Sequence, residues 1–302
     1  MLFSKMKVYQ IKDGFSVNEQ KLDGSLSSSK FKDIDRTQVT SSGFVNPLSK
    51  SVESFVHGVS DAFLVTLRLD SKSIPAAAVN KKTKQRIKDL EARKLDKATK
   101  DEKTEIKEAV LAELTASFPV DFIKTNYLSA LIMPSDGFII VDSTSTTQCE
   151  LILSKLRSAL GSLPIIDFET ESLPSQIMTD WVKTGDLPEE IALLGNCSLV
   201  DESTDAGSQA VLKNYELSSD EILGLVDAGM VVSQISLVWN DSLNMKIDAD
   251  LAISGVGYTD VLKEQNKESS KESDFASRFD AELYIITENI KMLLPNLQQI
   301  FK

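Results

Sequence analysis

The sequence predicts an α+β fold, and three observations carry that prediction. Segments with two-residue alternation and segments with helical periodicity mix along the chain without a regular strand–helix–strand order. Two pairs of strand-like segments are separated only by short turn sequences, as antiparallel hairpins are. Finally, 302 residues of which 42% are hydrophobic can bury a sizeable core, divided over two or three subdomains.

Taken in order, "KMKVYQI" (5–11) reads as an edge of β structure. A polar amphipathic segment follows, then a Ser-rich loop around "SSGFVNPLSK" (41–50). "DAFLVTLRLD" (61–70) alternates as a half-buried strand does, and Pro75 closes it. Next comes a helix pair. Ile87 and Leu90 mark an apolar side of its first helix. Thr99 with Glu102 fits a capping box that starts the second near Lys100, where Ile106, Ala109, Val110 and Leu114 share a face. Pro119 ends the pair.

"YLSALIMPSDGFIIVD" (127–142) predicts a hairpin turning at Pro134, Ser135, Asp136 and Gly137. "TSTTQCELILSKLRSAL" (144–160) predicts an amphipathic helix stopped by Gly161, and "LPIIDF" (163–168) a returning strand. A short helix holds Trp181; "SLVDES" (198–203) and "AVLKNYEL" (210–217) read as strand or loop. "SSDEILGLVDAG" (218–229) predicts a capped helix, and "MVVSQISLVWNDSLNMKIDADL" (230–251) a hairpin turning at Asn240–Asp241. Polar "KEQNKESSKESD" (263–274) leads into a final helix that Pro295 interrupts. There is no internal repeat. These elements divide into an α+β subdomain (1–75 with 125–170), a basic helical subdomain (76–124) and a C-terminal α+β subdomain (171–302).

The chain carries a net charge of −12, yet its charge is uneven. Residues 81–107, "KKTKQRIKDLEARKLDKATKDEKTEIK", hold eleven basic residues against six acidic ones, a net +5, so the remainder is −17. Lys82, Arg86 and Arg93 share one stripe of the first helix, and Lys100, Lys103 and Lys107 line a face of the second. Lysine and arginine without interleaved aromatics fit contact with phosphate, which carries no sequence information, rather than base stacking. Composition alone favours a solvated surface over nucleic-acid binding here, and an acidic protein partner is a further reading.

Catalytic signatures are scarce. The sequence has no phosphate-cradling glycine loop and no nucleophile elbow. His57 is the only histidine, which excludes multi-histidine metal sites, and it reads as structural. Cys149 and Cys197 lack metal-ligand spacing and read as buried thiols. Glu105-Ile106-Lys107 is the one nuclease-like triplet, but helical periodicity already accounts for each residue. Asp248 and Asp250 share a predicted strand face, where solvent exposure explains them more simply than a metal. No cofactor is implied. No apolar window is long enough for a membrane span, and the opening "MLFSKMKVYQIKDG" lacks a leader's apolar run, so the chain reads as cytoplasmic.

One resemblance covers the whole chain. "MLFSKMKVYQI" (1–11), "GFVNPL" (43–48), "GFIIVD" (137–142), "LGSLPI" (160–165), "DWVKTG" (180–185), "LSSDEILGLVDAGMVVSQISLVW" (217–239) and "DFASRFDAELYIIT" (274–287) resemble, in order, the recombination-associated RdgC family. The resemblance implies a horseshoe-shaped subunit with mixed or antiparallel sheets and a projecting helical pair. Two subunits would pair at both ends into a closed two-fold ring, a homodimer. It implies non-sequence-specific binding of double-stranded DNA through the ring, limitation of recombinase RecA's access to DNA, and nucleoid association. A metal-dependent nuclease is the alternative.

By the same resemblance, the DNA-contacting residues are Lys82, Arg86, Arg93, Lys94, Lys97, Lys100, Lys103 and Lys107. Lys213 joins them as the retained one of two adjacent basic residues, because Asn214 and Tyr215 follow it. Met230 stands where a relative has lysine, which weakens the secondary contacts. Phe118, and after it Phe122, match an apolar segment at a subunit contact, although either reads equally well as core.

Overall fold

The first strand is central, not an edge. In the computed structural model, which describes residues 3–12, 14–48, 54–201, 203, 207–258 and 275–302, β1 (Lys5–Ile11) lies in the middle of a twelve-stranded sheet. The other strands are β2 (Thr40–Val45), β3 (Val56–Val59), β4 (Ala62–Ser71), β5 (Lys124–Met133), β6 (Phe138–Val141) and β7 (Ile165–Asp167). They continue with β8 (Ile191–Val200), β9 (Gln209–Leu212), β10 (Val231–Trp239), β11 (Leu243–Asp248) and β12 (Ile253–Tyr258). The order is β2-β4-β5-β6-β1-β12-β11-β10-β8-β9, with β3 also on β4 and β7 also on β1. Ladders between these strands are antiparallel.

β1 joins the two halves of this sheet. Lys5 and Met6 pair with β12, while Lys7 through Gln10 pair with β6. Its alternation then feeds two separate cores: Met6 and Val8 enter one, Tyr9 the other. Such a strand reads as an edge only while its partners, more than 120 residues away, are unknown.

The helices are α1 (Glu19–Ser27), α2 (Ala76–Lys94), α3 (Lys100–Ala116), α4 (Thr146–Leu160), α5 (Pro174–Thr184), α6 (Asp220–Asp227) and α7 (Phe275–Ile300). Leu22 and Leu26 of α1, with Cys149, Ile152, Leu153 and Leu156 of α4, belong to one core. Helices α5, α6 and α7 contribute to the other. β4 is therefore buried on both faces, not half-buried. Ala62 and Leu64 enter one core, Val65 and Leu67 the other.

Other expectations change for local reasons. The Ser-rich segment is partly strand β2, where Gly43 is required: a Cβ there would lie 2.3 Å from Phe31 Cα. Pro295 does not interrupt α7, because it faces solvent while Leu293, Leu294 and Leu297 hold the turns around it in the core. Ser219 stands at the start of α6 but does not cap it; its Oγ is buried without a partner among the described residues. The hairpins appear as predicted, and both Asn240 and Asp241 have positive φ, 50° and 52°. The polar stretch at 263–274 lies outside the described residues.

His57 Nε2 lies 2.7 Å from Asp280 Oδ1, and its ring meets Phe279 edge-on. The histidine thus ties β3 to α7. Both cysteines are free and buried, and burial pushes the Cys197 thiol up to about 12. No helix among the described residues is long and apolar enough to cross a membrane.

Candidate nucleic-acid interface

The basic run forms an arm inserted between two neighbouring strands. The β4–β5 ladder runs from Phe63↔Ile132 to Ser71↔Lys124, and the chain between those last two residues builds α2 and α3. Pro75 precedes α2 in extended conformation, and Pro119 follows α3, so each helix is bounded by proline at the arm's root. The far end is a tight reversal. Leu95 ends α2 with φ 56°, unusual for a bulky residue, and the residue is 92% exposed. Thr99 then opens α3 with a complete capping box: its hydroxyl accepts from Glu102 N, and the Glu102 carboxylate accepts from Thr99 N.

Ion pairs fasten the two helices antiparallel. Glu113 accepts from Lys82 Nζ at 2.5 Å and also from Arg86, and nearer the tip Lys94 pairs with Glu102. The Lys82 hydrogen bond, with Arg86 beside it, holds the Glu113 carboxyl below the usual carboxylate range. Glu91 accepts from Ala98 N at 3.0 Å and closes the tip. The apolar seam is thin: Val79, Ala98 and Val110 are buried, Ile87, Leu90, Ile106 and Leu114 half-buried. Ala109, expected on that seam, is exposed.

The predicted DNA contacts therefore separate into two groups. Lys82, Arg86 and Lys94 are engaged inside the arm. Arg93, Lys97, Lys100, Lys103 and Lys107 are exposed, and among the described residues none of them forms an ion pair. These five cluster toward the tip: Arg93 and Lys97 flank the reversal, and Lys100 to Lys107 cover about 10 Å of α3. Exposed cations held on a braced scaffold and without an ion-pair partner among the described residues can neutralise phosphates and release the counterions condensed on DNA.

Lys213 is not brought to this arm. It follows β9 at the opposite end of the strand order, beside a depression lined by Asn196, Ser198, Gln234, Ser236 and Lys246. Lys246, an exposed cation of β11, was not singled out in the sequence; the alternation of "LNMKID" is its only local signal. Met230 is half-buried against the core of α5 and α6.

Phe118, Val120 and Phe122 lie between α3 and β5. Phe118 is half-buried, whereas Val120 and Phe122 on a 3-10 turn are 77% and 72% exposed. The sequence ranked Phe118 first and passed over Val120; exposure reverses that order for an apolar contact surface.

The catalytic alternatives fare differently. Glu105 and Lys107 both lie in α3, where residues two apart point about 200° apart around the axis, so they do not converge on one ion. Asp248 and Asp250 do not share a strand face: Asp250 is in a turn, and Asp248 Oδ1 accepts from the backbone N of Asp250 and Ala252. Burial pushes the Asp248 carboxyl up. Among the described residues no three His, Cys, Asp or Glu side chains gather to hold a metal ion.

Comparison with known proteins extends over the full length. A family model described as "RdgC: Putative exonuclease, RdgC" matches residues 1–302. The "Recombination-associated protein RdgC" of Psychromonas ingrahamii is 31% identical over 301 residues, covering 100% of this chain and 98% of the relative. That of Pseudomonas aeruginosa is 31% identical over 298 residues, covering 98% and 96%. The protein of the same description from Actinobacillus pleuropneumoniae is 30% identical over 299 residues, covering 99% and 97%.

Proposed function

This chain belongs to the RdgC family, and from that premise we propose that it binds double-stranded DNA without sequence preference, as a two-fold ring of horseshoe-shaped copies around the duplex. The observation that carries this reading is the arm: five exposed cations, unpaired among the described residues, at one end of a braced helix pair in a protein of net charge −12. Two copies would bring two segments of +5 to the duplex, while the acidic remainder repels it elsewhere. Val120 and Phe122, exposed and apolar at the arm's root, would supply one contact between copies, with Phe118 behind them. Lys213 and Lys246 would add weaker phosphate contacts from the far half of the sheet.

In the cell, a ring on duplex DNA would limit the access of recombinase RecA and place the protein on the nucleoid. The relatives' description as recombination-associated supports that role. The arm's composition argues for phosphate rather than base contact, so two linear duplexes of unrelated sequence should bind with affinities within about twofold of each other. Anisotropy titration checks this, and a strong preference for one sequence would remove the reading.

The family description also names an exonuclease, and Glu105 with Lys107 is its one foothold in the sequence. Labelled duplex incubated with Mg²⁺ or Mn²⁺ should stay intact. Cleavage that Glu105→Gln abolishes would replace a binding protein with a nuclease.

A further inference from the structure

The arm projects from the sheet on two chain crossings only, so something must fix its direction. We infer that Lys72 is the positioning residue that aims it. Lys72 is the first residue after β4 and only 6% exposed, a rare state for a lysine. Its Nζ donates to three backbone carbonyls: Asp35 O at 2.8 Å, Arg36 O at 2.9 Å and Thr115 O at 3.2 Å. An ammonium has three N–H donors, and here each has its own acceptor.

The three acceptors belong to two different parts of the chain. Asp35 and Arg36 lie in the loop before β2, a part of the sheet-bearing body. Thr115 lies in the last turn of α3, where its carbonyl also accepts from Phe118 N at 3.3 Å and where the negative end of the helix favours a cation. The root of α2 is fixed covalently, since only residues 73–75 separate Lys72 from Ala76. The Lys72–Thr115 bond fixes the other helix at the same level. With both helices held at one end and braced to each other by Glu113, the tip has one direction.

The strands beneath are themselves locked. Asp70, 4% exposed, takes both Arg68 Nε and Nη2 at 3.0 and 2.7 Å and also Thr125 Oγ1 at 2.9 Å, across β4 and β5. Arg68 in turn stacks over Phe31, 4.2 Å from the ring centre. Lys72 therefore stands between a rigid platform and the helix that carries Lys100, Lys103 and Lys107.

For DNA the consequence rests on the proposed binding reading: an arm that is aimed in advance loses little freedom when it meets the phosphates. Lys72 touches no phosphate itself, being buried. Removing it should weaken binding without changing the number of phosphates neutralised.

The test uses spin labels at Leu95→Cys and Thr147→Cys, both exposed positions, in full-length protein diluted with unlabelled copies; the native cysteines are buried. The parent should give one narrow tip-to-body distance distribution. A broad one would overturn the proposal without any variant needing to fold. Lys72→Met should broaden it and Lys72→Arg should narrow it again; an unchanged width in Lys72→Met would overturn the proposal. In duplex titrations, Lys72→Met should lose about tenfold in affinity with its salt slope intact, whereas Lys103→Met, which removes one phosphate contact from each of two copies, should lower that slope by about 2. A lowered slope in Lys72→Met would make it a phosphate contact and sink the positioning role. Should the distances behave as expected while the parent binds no duplex, Lys72 keeps its role and the DNA reading fails.

Discussion

Changing Lys97, Lys100 and Lys103 together to Glu is expected to remove duplex binding at moderate salt. The affinity should fall at least ~100-fold, since two copies together would leave about six phosphates without a neutralising cation. The net charge of residues 81–107 would pass from +5 to −1. The fold should tolerate the change. All three side chains are exposed, and none takes part in an ion pair among the described residues. Glutamate in the first turn of α3 also suits the positive end of the helix better than lysine does. Circular dichroism and the melting temperature should therefore match the parent while binding is lost for every sequence alike. Undiminished binding would mean that the arm is not where DNA is held. Lys82 and Arg86 make a poorer test, since substituting them frees Glu113 and loosens α2 from α3.

Replacing Val120 and Phe122 together by Asp should open the ring at one contact and leave the subunit intact. Both side chains are already in water, so the isolated fold loses little burial. Between copies the effect is larger. Each large apolar side chain contributes roughly 2 kcal/mol when buried, and a two-fold contact holds four of them, before the charges repel. The readout is retention on closed circular duplex during a high-salt wash that strips protein from linear duplex. The parent should stay on circles; the double variant should wash off both. Equal retention of parent and variant would show that the 3-10 turn is not at a closing contact. Phe118→Asp tests the same surface less cleanly, because Phe118 is half-buried and its loss also strains the arm's root.

Local features of this chain were legible in its sequence. The capping box at Thr99 and Glu102 needs only three residues' separation, and the Asn240–Asp241 hairpin needs only its own turn. What depends on distant partners was not legible. β1 reads as an edge because β6 and β12 lie far along the chain, and β4 reads as half-buried because a second core covers its other face. The same holds for the site. The basic stripes were visible, but Glu113 lies beyond the basic run and takes Lys82 and Arg86 out of the exposed set. Lys72 gave no signal at all: a single lysine after a strand looks like any solvated end until three carbonyls converge on it.

The proposal that duplex DNA is held by its backbone, through the arm's unpaired cations, is tested most directly by the salt dependence of affinity on a linear duplex. With about six phosphates neutralised, the logarithm of the binding constant should fall against the logarithm of salt concentration with a slope near −5. A slope shallower than about −1, at comparable affinity, would mean that phosphate contacts are not what holds the DNA.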